Sequence, residues 1–415
     1  MRESKNIEFK ETITNTFLKT VSAFANYGDG IILFGVNDNG HEIGLDNPKQ
    51  LCMDIENRIN DSIQPVPAFS LEITGKRIIK LTVYEGLSKP YFYKSKAYRR
   101  NDSATIEVDR TELTRLILEG ENTSFEELES NMQNLTFNIL ESKLHSLINI
   151  EQLSSDTLKT LELLKGNGKY NNAGKLFADE NDFCGIDIMR FGDSLDIILD
   201  HETFEKESVL LQYDYSLTMF QKYYQYEQIK GSSRETVDLI PEKAYREAIA
   251  NAIVHRTWDI DTHINIAMFP DRIEITSPGG LPKGISKEEY LRGGLSILRN
   301  RIIGNIFLRL RLIERFGTGI RRINESYSKS EKKPLFEIYE NSIKIILPVF
   351  QGISNLSNDE NKVYSLVKCR NTSSSKIVEA TGFGKSKVVS ILNKLIDEGY
   401  ITVTGTGRGT KYCAC

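Results

Sequence analysis

Apolar and polar positions along this 415-residue chain fall into three blocks. In the first, a helical stretch at 16–25 leads to an apolar run, Ile31, Ile32, Leu33, Phe34, Gly35 and Val36. The run lies between Gly28/Gly30 and Asn37/Gly40, which predicts a buried strand. Residues 77–84 alternate and are β-branched, predicting another strand, and 91–93 and 97–99 flank a turn at Lys94, Ser95 and Lys96. A helical pattern at 111–118 completes a compact α/β unit over residues 1–120. Residues 121–145 are acidic and amidic and read as a linker or bridging helix. The second block, 146–352, opens with helices. It continues with a strand near 185–190, a helix at 246–256 and a strand at 271–275. A turn-rich break at 351–355 precedes the third block.

That last block, 356–415, has the pattern of a winged helix-turn-helix. A helix at 361–368 is followed by Ser373, Ser374 and Ser375, which offer an N-cap for a helix at 376–381. Gly382-Phe383-Gly384 turns the chain into a third helix, 385–398, with Val388, Ile391, Leu392, Leu395 and Ile396 as its apolar stripe. Gly399 ends it, and 400–404 and 410–412 form a ribbon around a glycine-rich tip. In a major groove, the third helix would present Lys385, Ser386, Lys387, Ser390, Asn393 and Lys394, with Arg408 and Lys411 supplied by the wing. The alternative use of such a module is dimerisation or protein contact. Gly384-Lys385-Ser386 is not a phosphate-binding P-loop, because Glu379 stands where its first glycine belongs. No other P-loop occurs, which disfavours a helicase motor.

Charge sharpens this picture. Between 361 and 415 nine basic residues stand against three acidic ones, on a chain whose net charge is −4. A small basic module on an acidic body is a localised footprint for nucleic acid. The charged N-terminus is unlike a signal peptide, and no apolar run approaches the length of a membrane span. A cytoplasmic location with no membrane partner is therefore expected. Cys52, Cys184, Cys369, Cys413 and Cys415 show neither a CxxC pair nor zinc spacing and read as reduced thiols.

Candidate chemistry begins at the N-terminus. Glu3, Glu8 and Lys10 lie in ESKNIEFKE, and Asp38 follows the buried strand. Three carboxylates near a lysine suit Mg²⁺ or Mn²⁺ and phosphodiester hydrolysis, whereas scattered surface acids are the bland reading. The segments ESKNIEFKE, VSAFANYGDGIILFGVNDNG and YRRNDSAT resemble the Schlafen-type AlbA domain, a likeness covering about the first 120 residues. The resemblance implies nucleic-acid binding, with Arg99 and Arg100 available to phosphates. In members with endoribonuclease activity, acids at positions matching Glu3, Glu8 and Asp38 do the work, whereas many bacterial members are DNA-binding or regulatory. Two departures stand out: Tyr27-Gly28-Asp29-Gly30 where the family has a glycine pair, and Arg100-Asn101-Asp102-Ser103 where it has Arg-Val-Gly-Ser.

In the second block, Glu247, Asn251 and His255 stand at i, i+4 and i+8 on one helix face. A glutamate four residues before an asparagine presents a general base beside an oxygen ligand for Mg²⁺. Gly279 and Gly280 follow a strand, and Gly317 and Gly319 precede a helix, where glycine loops approach phosphates closely. From Asn171 to Phe350 the chain resembles a degenerate GHKL-type ATPase domain. The resemblance implies that Asn251 holds Mg²⁺, Glu247 orients water and the four glycines line ATP. The adenine-reading aspartate is replaced by Ser277 and Pro278, and the family's His-Arg-Asp-Tyr is His255-Arg256-Thr257-Trp258. A vestigial fold, whose glycines only make turns, is the competing reading.

Together these features predict a multidomain α/β (α+β) protein with an AlbA-type domain, a GHKL-like domain and a winged helix. The expected function is a DNA-binding regulator with ATP as a possible ligand, working as a homodimer. The alternatives are a metal-dependent endonuclease acting on tRNA or other RNA, and an ATP-driven conformational switch.

Overall fold

The computed structural model describes residues 2–149, 152–230, 233–282, 284–294, 297–314, 317–350, 356–369, 372–405 and 410–414. The chain divides into two compact units, Met1–Leu128 and Glu129–Cys415.

In the first unit, the strands Ile7–Lys10 and Gly30–Phe34 pair in parallel, and the helix Phe17–Tyr27 connects them. Ile79–Val83 adds antiparallel to Gly30–Phe34, and Phe69–Ile73 adds beyond it. Alternation places Ile32, Phe34, Ile79, Leu81 and Val83 in one core with Phe17, Leu18, Val21 and Phe24 of the connecting helix. The strand expected at 31–36 stops at Phe34 because Gly35, at φ +89°, turns the chain away. The turn at Lys94 and Ser95 is present, with Tyr93 bridged to Lys96. Its flanks pair elsewhere, Phe92–Tyr93 with Ile63–Gln64 and Tyr98–Asn101 with Ala104–Glu107. The helix Arg110–Gly120 is capped by Asp109.

Residues 121–145, read as a linker or bridging helix, are shared between the units. Ser124 and Glu127 close a capping box in the first. The helix Asn138–Ile148 belongs to the second, where it buries Leu140 and Leu144. Its first backbone amides donate to Asp179 at 2.9 Å, and Lys143 pairs with Asp214 at 2.6 Å.

The second unit is built on a six-stranded sheet in the order Ile198–Phe204, Ile186–Phe191, Ile264–Phe269, Arg272–Pro278, Ser342–Pro348 and Leu335–Ile338. Ile186–Phe191 and Ile264–Phe269 run parallel, and the other neighbours are antiparallel. The helices Val209–Tyr224 and Glu242–His255 pack on the sheet. Ile186, Ile188, Ile264, Ile266, Ile273, Ile275, Ile345 and Leu347 are buried at alternate positions.

The C-terminal segment forms the helices Asn358–Cys369, Ser374–Thr381 and Lys385–Asp397 and an antiparallel ribbon of Ile401–Thr404 with Lys411–Ala414. Val363, Val367, Ile377, Val388, Leu392, Leu395 and Ile401 form its core. Among the described residues, no helix is long and apolar enough to cross a membrane.

Leu81→Ala deletes fully buried methyl groups from the first core and is expected to cost about 2–5 kcal/mol. Urea unfolding followed by circular dichroism measures the loss. Fluorescence of Trp258, the single tryptophan, reports the second unit separately.

Candidate nucleotide pocket and nucleic-acid surfaces

The helix Glu242–His255 packs Ala248, Ile249, Ala252 and Ile253 into the core. Its next face carries Glu247, Asn251 and His255, and all three line one cavity of about 70 Å³. Asn251 Nδ2 donates to Glu247 Oε1 at 3.4 Å. Burial pushes the Glu247 carboxyl above the ordinary range, against the opposing pull of Arg322 and of Asn251. That moves it toward the pKa of a general base working near neutrality.

Gly319 opens the helix Gly319–Ser326 directly over this pair. A Cβ there would stand 2.5 Å from Glu247 Oε1 and 2.7 Å from Asn251 Nδ2, so any larger residue would push these two polar groups from their present positions. Gly317, at φ +58°, lines the same cavity. Sequence reasoning missed the opposite wall, made of Tyr290, Gly293, Ile297, Leu298, Ile313 and Thr318. The adjacent glycines of RGGL were the available signal: Gly294 N donates to Gly317 O at 2.9 Å. Arg321 fastens the turn by donating to the Arg292 and Gly293 carbonyls, each at 3.1 Å.

Gly279 lines a neighbouring cavity of about 20 Å³ that shares Asn251, His255 and Tyr290 with the first and adds Ser277, Ile275, Ile343 and Ile345. Gly280 is taken up by packing, since a Cβ would stand 2.2 Å from Glu340 O. Ser277, at the position of the missing adenine-reading aspartate, donates its hydroxyl to Ala252 O at 2.8 Å. Glu247 also lines a cleft of about 450 Å³ of mixed charge, with Lys243, Arg246, Arg311 and Arg322 against Glu242 and Glu314. Arg322 pairs with Glu314.

His255 has a buried Nδ1 without a hydrogen-bond partner. Burial, with a further push from Arg299, takes its pKa down to about 4, so the ring is neutral at pH 7. The next residue, Arg256, is 1% exposed. It donates to the carbonyls of Cys184 at 2.7 Å, Gly185 at 3.2 Å and Thr262 at 2.5 Å, and lies 4.2 Å from the centre of the Trp258 ring. Burial lowers its pKa to about 10, which leaves it charged at neutral pH.

The N-terminal acids are not gathered. Glu8 is 6% exposed and forms ion pairs with Arg100 and, at 2.6 Å, with Lys10. Glu3 accepts from Phe9 N at 2.9 Å. Asp38 is exposed in the turn after Val36. The donor atoms of Glu3, Glu8 and Asp38 do not all come within 4.8 Å of one another. The expectation that Arg100 meets phosphates is corrected: its guanidinium is buried on Glu8, Thr105 Oγ1 at 3.1 Å and Ser4 O at 3.0 Å. The reason is strand alternation, which turns Arg100 inward and leaves its neighbour Arg99 partly exposed, paired with Glu112 at 3.1 Å.

On the C-terminal module Lys385, Ser386, Lys387, Ser390, Asn393 and Lys394 are all exposed along the helix Lys385–Asp397, as is Lys411 on the ribbon. Lys387 pairs with Asp359 at 2.6 Å, and Lys394 with Glu360 at 2.8 Å. Arg408 lies outside the described residues.

Residues 3–109 match the family described as "Schlafen, AlbA_2", and residues 261–347 match "Putative ATP-dependent DNA helicase recG C-terminal". The chain carries a Schlafen AlbA_2 domain and an ATPase-like domain. The helix with Glu247 and Asn251 precedes the second matched stretch. No curated protein matches the chain significantly. Among solved structures, the DIP2311 protein from Corynebacterium diphtheriae is 17% identical, with 99% of this chain and 92% of that one covered at a TM-score of 0.48. The two domain matches point to a nucleic-acid-related function.

Two predictions follow from this geometry. Arg100→Met leaves Glu8 buried with Lys10 alone and is expected to cost about 3–5 kcal/mol in urea unfolding, most of it recovered in the Glu8→Gln/Arg100→Met double variant. His255 binds its proton in the unfolded chain near pH 6.5 and in the folded chain only near pH 4. Its contribution, roughly 3 kcal/mol, is therefore full above pH 6.5 and lost as pH falls toward 4. His255→Gln should flatten the stability profile across that window.

Proposed function

We propose that this chain is a nucleotide-responsive, DNA-binding regulator. The observation that carries the reading is the convergence of Glu247, Asn251 and Gly319, where a missing Cβ leaves room against a buried carboxylate and a carboxamide. These residues fit the phosphate and metal end of a nucleotide site. A magnesium ion there would be held by the Asn251 amide oxygen and would neutralise phosphate charge. Glu247, with its raised pKa, accepts a proton from water, and the backbone at Gly317 and Gly319 lets phosphates approach closely. The cavity of about 70 Å³ is well below the roughly 300 Å³ at which ligand sites begin, so entry requires the wall of Tyr290, Ile297 and Leu298 to draw back. With Ser277 committed to Ala252, base recognition is weak and triphosphates of different bases compete.

DNA reading falls to the C-terminal module, which is a winged helix in this proposal. The exposed polar half of the helix Lys385–Asp397 enters the major groove, and the ribbon bearing Lys411 follows the backbone. A homodimer would place two such helices on paired half-sites. The endonuclease reading loses support because Glu8 is already neutralised by Arg100 and Lys10.

The test is binding of a fluorescent ATP analogue and of a mixed duplex pool, with total tRNA and Mn²⁺ as the cleavage control. Asn251→Ala should abolish nucleotide binding, and Glu247→Gln should keep binding but stop phosphate release. Lys385→Ala should weaken duplex binding and reduce the log–log salt slope by about 1. Equal nucleotide binding by Asn251→Ala and the parent chain would sink the nucleotide assignment. Mn²⁺-dependent tRNA cleavage lost in Glu8→Ala would replace the regulator with a nuclease.

A further inference from the structure

Away from the pocket, the sheet of the second unit gathers a different set of donors. Phe204 pairs with Ile186, and Ile186 with Ile264, so three adjacent strands are in register at one end of the sheet. Immediately beyond those residues stand Glu205, Cys184 and His263. Their ligand atoms all lie within 4.8 Å of one another, and each side chain is half-buried. His263 Nε2 is 2.8 Å from Glu205 Oε2. Cys184 Sγ donates to Asp261 Oδ1 at 2.9 Å, which brings a second carboxylate to the sulfur. Among the described residues this is the one group of three such side chains so closely gathered.

We propose that Cys184, Glu205 and His263, completed by Asp261, form a binding site for zinc or a similar late divalent ion that clamps the three strand ends.

The donor set of one sulfur, one imidazole nitrogen and two carboxylates suits zinc and excludes magnesium and calcium, which take oxygen ligands. Bonds of about 2.0–2.3 Å on a tetrahedron put ligand atoms about 3.5 Å apart, so Cys184, Glu205 and His263 need to move by only about 1 Å, and Asp261 turns in from its bond to the sulfur. On binding, the Cys184 thiol proton leaves to solvent as the sulfur–metal bond forms. His263 coordinates through Nε2 and keeps its proton on Nδ1. One thiolate and two carboxylates give the loaded site a surplus negative charge. Lys206, 3.0 Å from Glu205 Oε1, and Arg256, on the Cys184 carbonyl, lie ready to balance it. The same Arg256 contacts hold the Cys184 and Thr262 backbone, so the donors are preorganised. Residues 184, 205 and 263 are far apart in sequence, so a metal bridging them stabilises the folded second unit independently of any nucleotide.

The test uses the full chain with Cys413 and Cys415 replaced by serine. It is titrated with Co²⁺ and then with Zn²⁺, alongside zinc competition against a chromophoric chelator. The expected result is one ion per chain, a thiolate-to-cobalt charge-transfer band displaced by stoichiometric Zn²⁺, and a rise in melting temperature with zinc. Cys184→Ser should lose the band, and the near-isosteric Glu205→Gln and His263→Asn should weaken zinc by at least about tenfold while circular dichroism confirms folding. The absence of uptake, or undiminished uptake by folded Cys184→Ser, would overturn the proposal.

Discussion

Arg256 is the residue on which the second unit is registered. A guanidinium moved out of water is destabilising unless its donors are met. Here Nη1 and Nη2 meet the carbonyls that precede two parallel strands, Cys184 and Gly185 before Ile186–Phe191 and Thr262 before Ile264–Phe269, while the buried Nε has no hydrogen-bond partner. Because Arg256 immediately follows the helix Glu242–His255, the same contacts set that helix against the sheet. The placement of Glu247 and Asn251, about two turns and one turn from its end, depends on that anchor. The Trp258 ring covers the guanidinium and keeps water from competing.

What was legible in the sequence was whatever is encoded within a few residues. The apolar run Ile31 to Val36, within which the strand ends at Phe34, the stripe of the helix Lys385–Asp397 and the four-residue spacing of Glu247 and Asn251 all follow from local periodicity. The structure added what long separations bring together. Glu8 and Arg100 are 92 residues apart, and nothing in either neighbourhood says that the two charges neutralise each other. The strand Ile198–Phe204 escaped notice because it is a largely exposed edge, rich in polar side chains, without apolar alternation. The cysteine spacing showed no metal motif, since Cys184 finds its neighbours across strand pairing and not along the chain. Gly293 and Gly294 went unnoticed because their contact with Gly317, which brings Gly293 to the cavity, spans 23 residues and leaves no local pattern.

In the first unit and in the C-terminal module alike, some of the exposed cations are held by nearby carboxylates. Arg99 rests on Glu112, Lys387 on Asp359 and Lys394 on Glu360. Such half-exposed pairs add little to folding stability. In the DNA-binding proposal, a polyanion would have to compete with an internal carboxylate for each of these groups, and the exposed Ser386, Ser390 and Asn393 would be left to face the bases.

The bond from Gly294 N to Gly317 O joins the two loops that close the pocket, and Arg321 binds the first loop to the helix that the second one starts. Gly293, Gly317 and Arg321 are thus tied to one another, so a substitution at any of them is passed on to the cavity lining that the others provide.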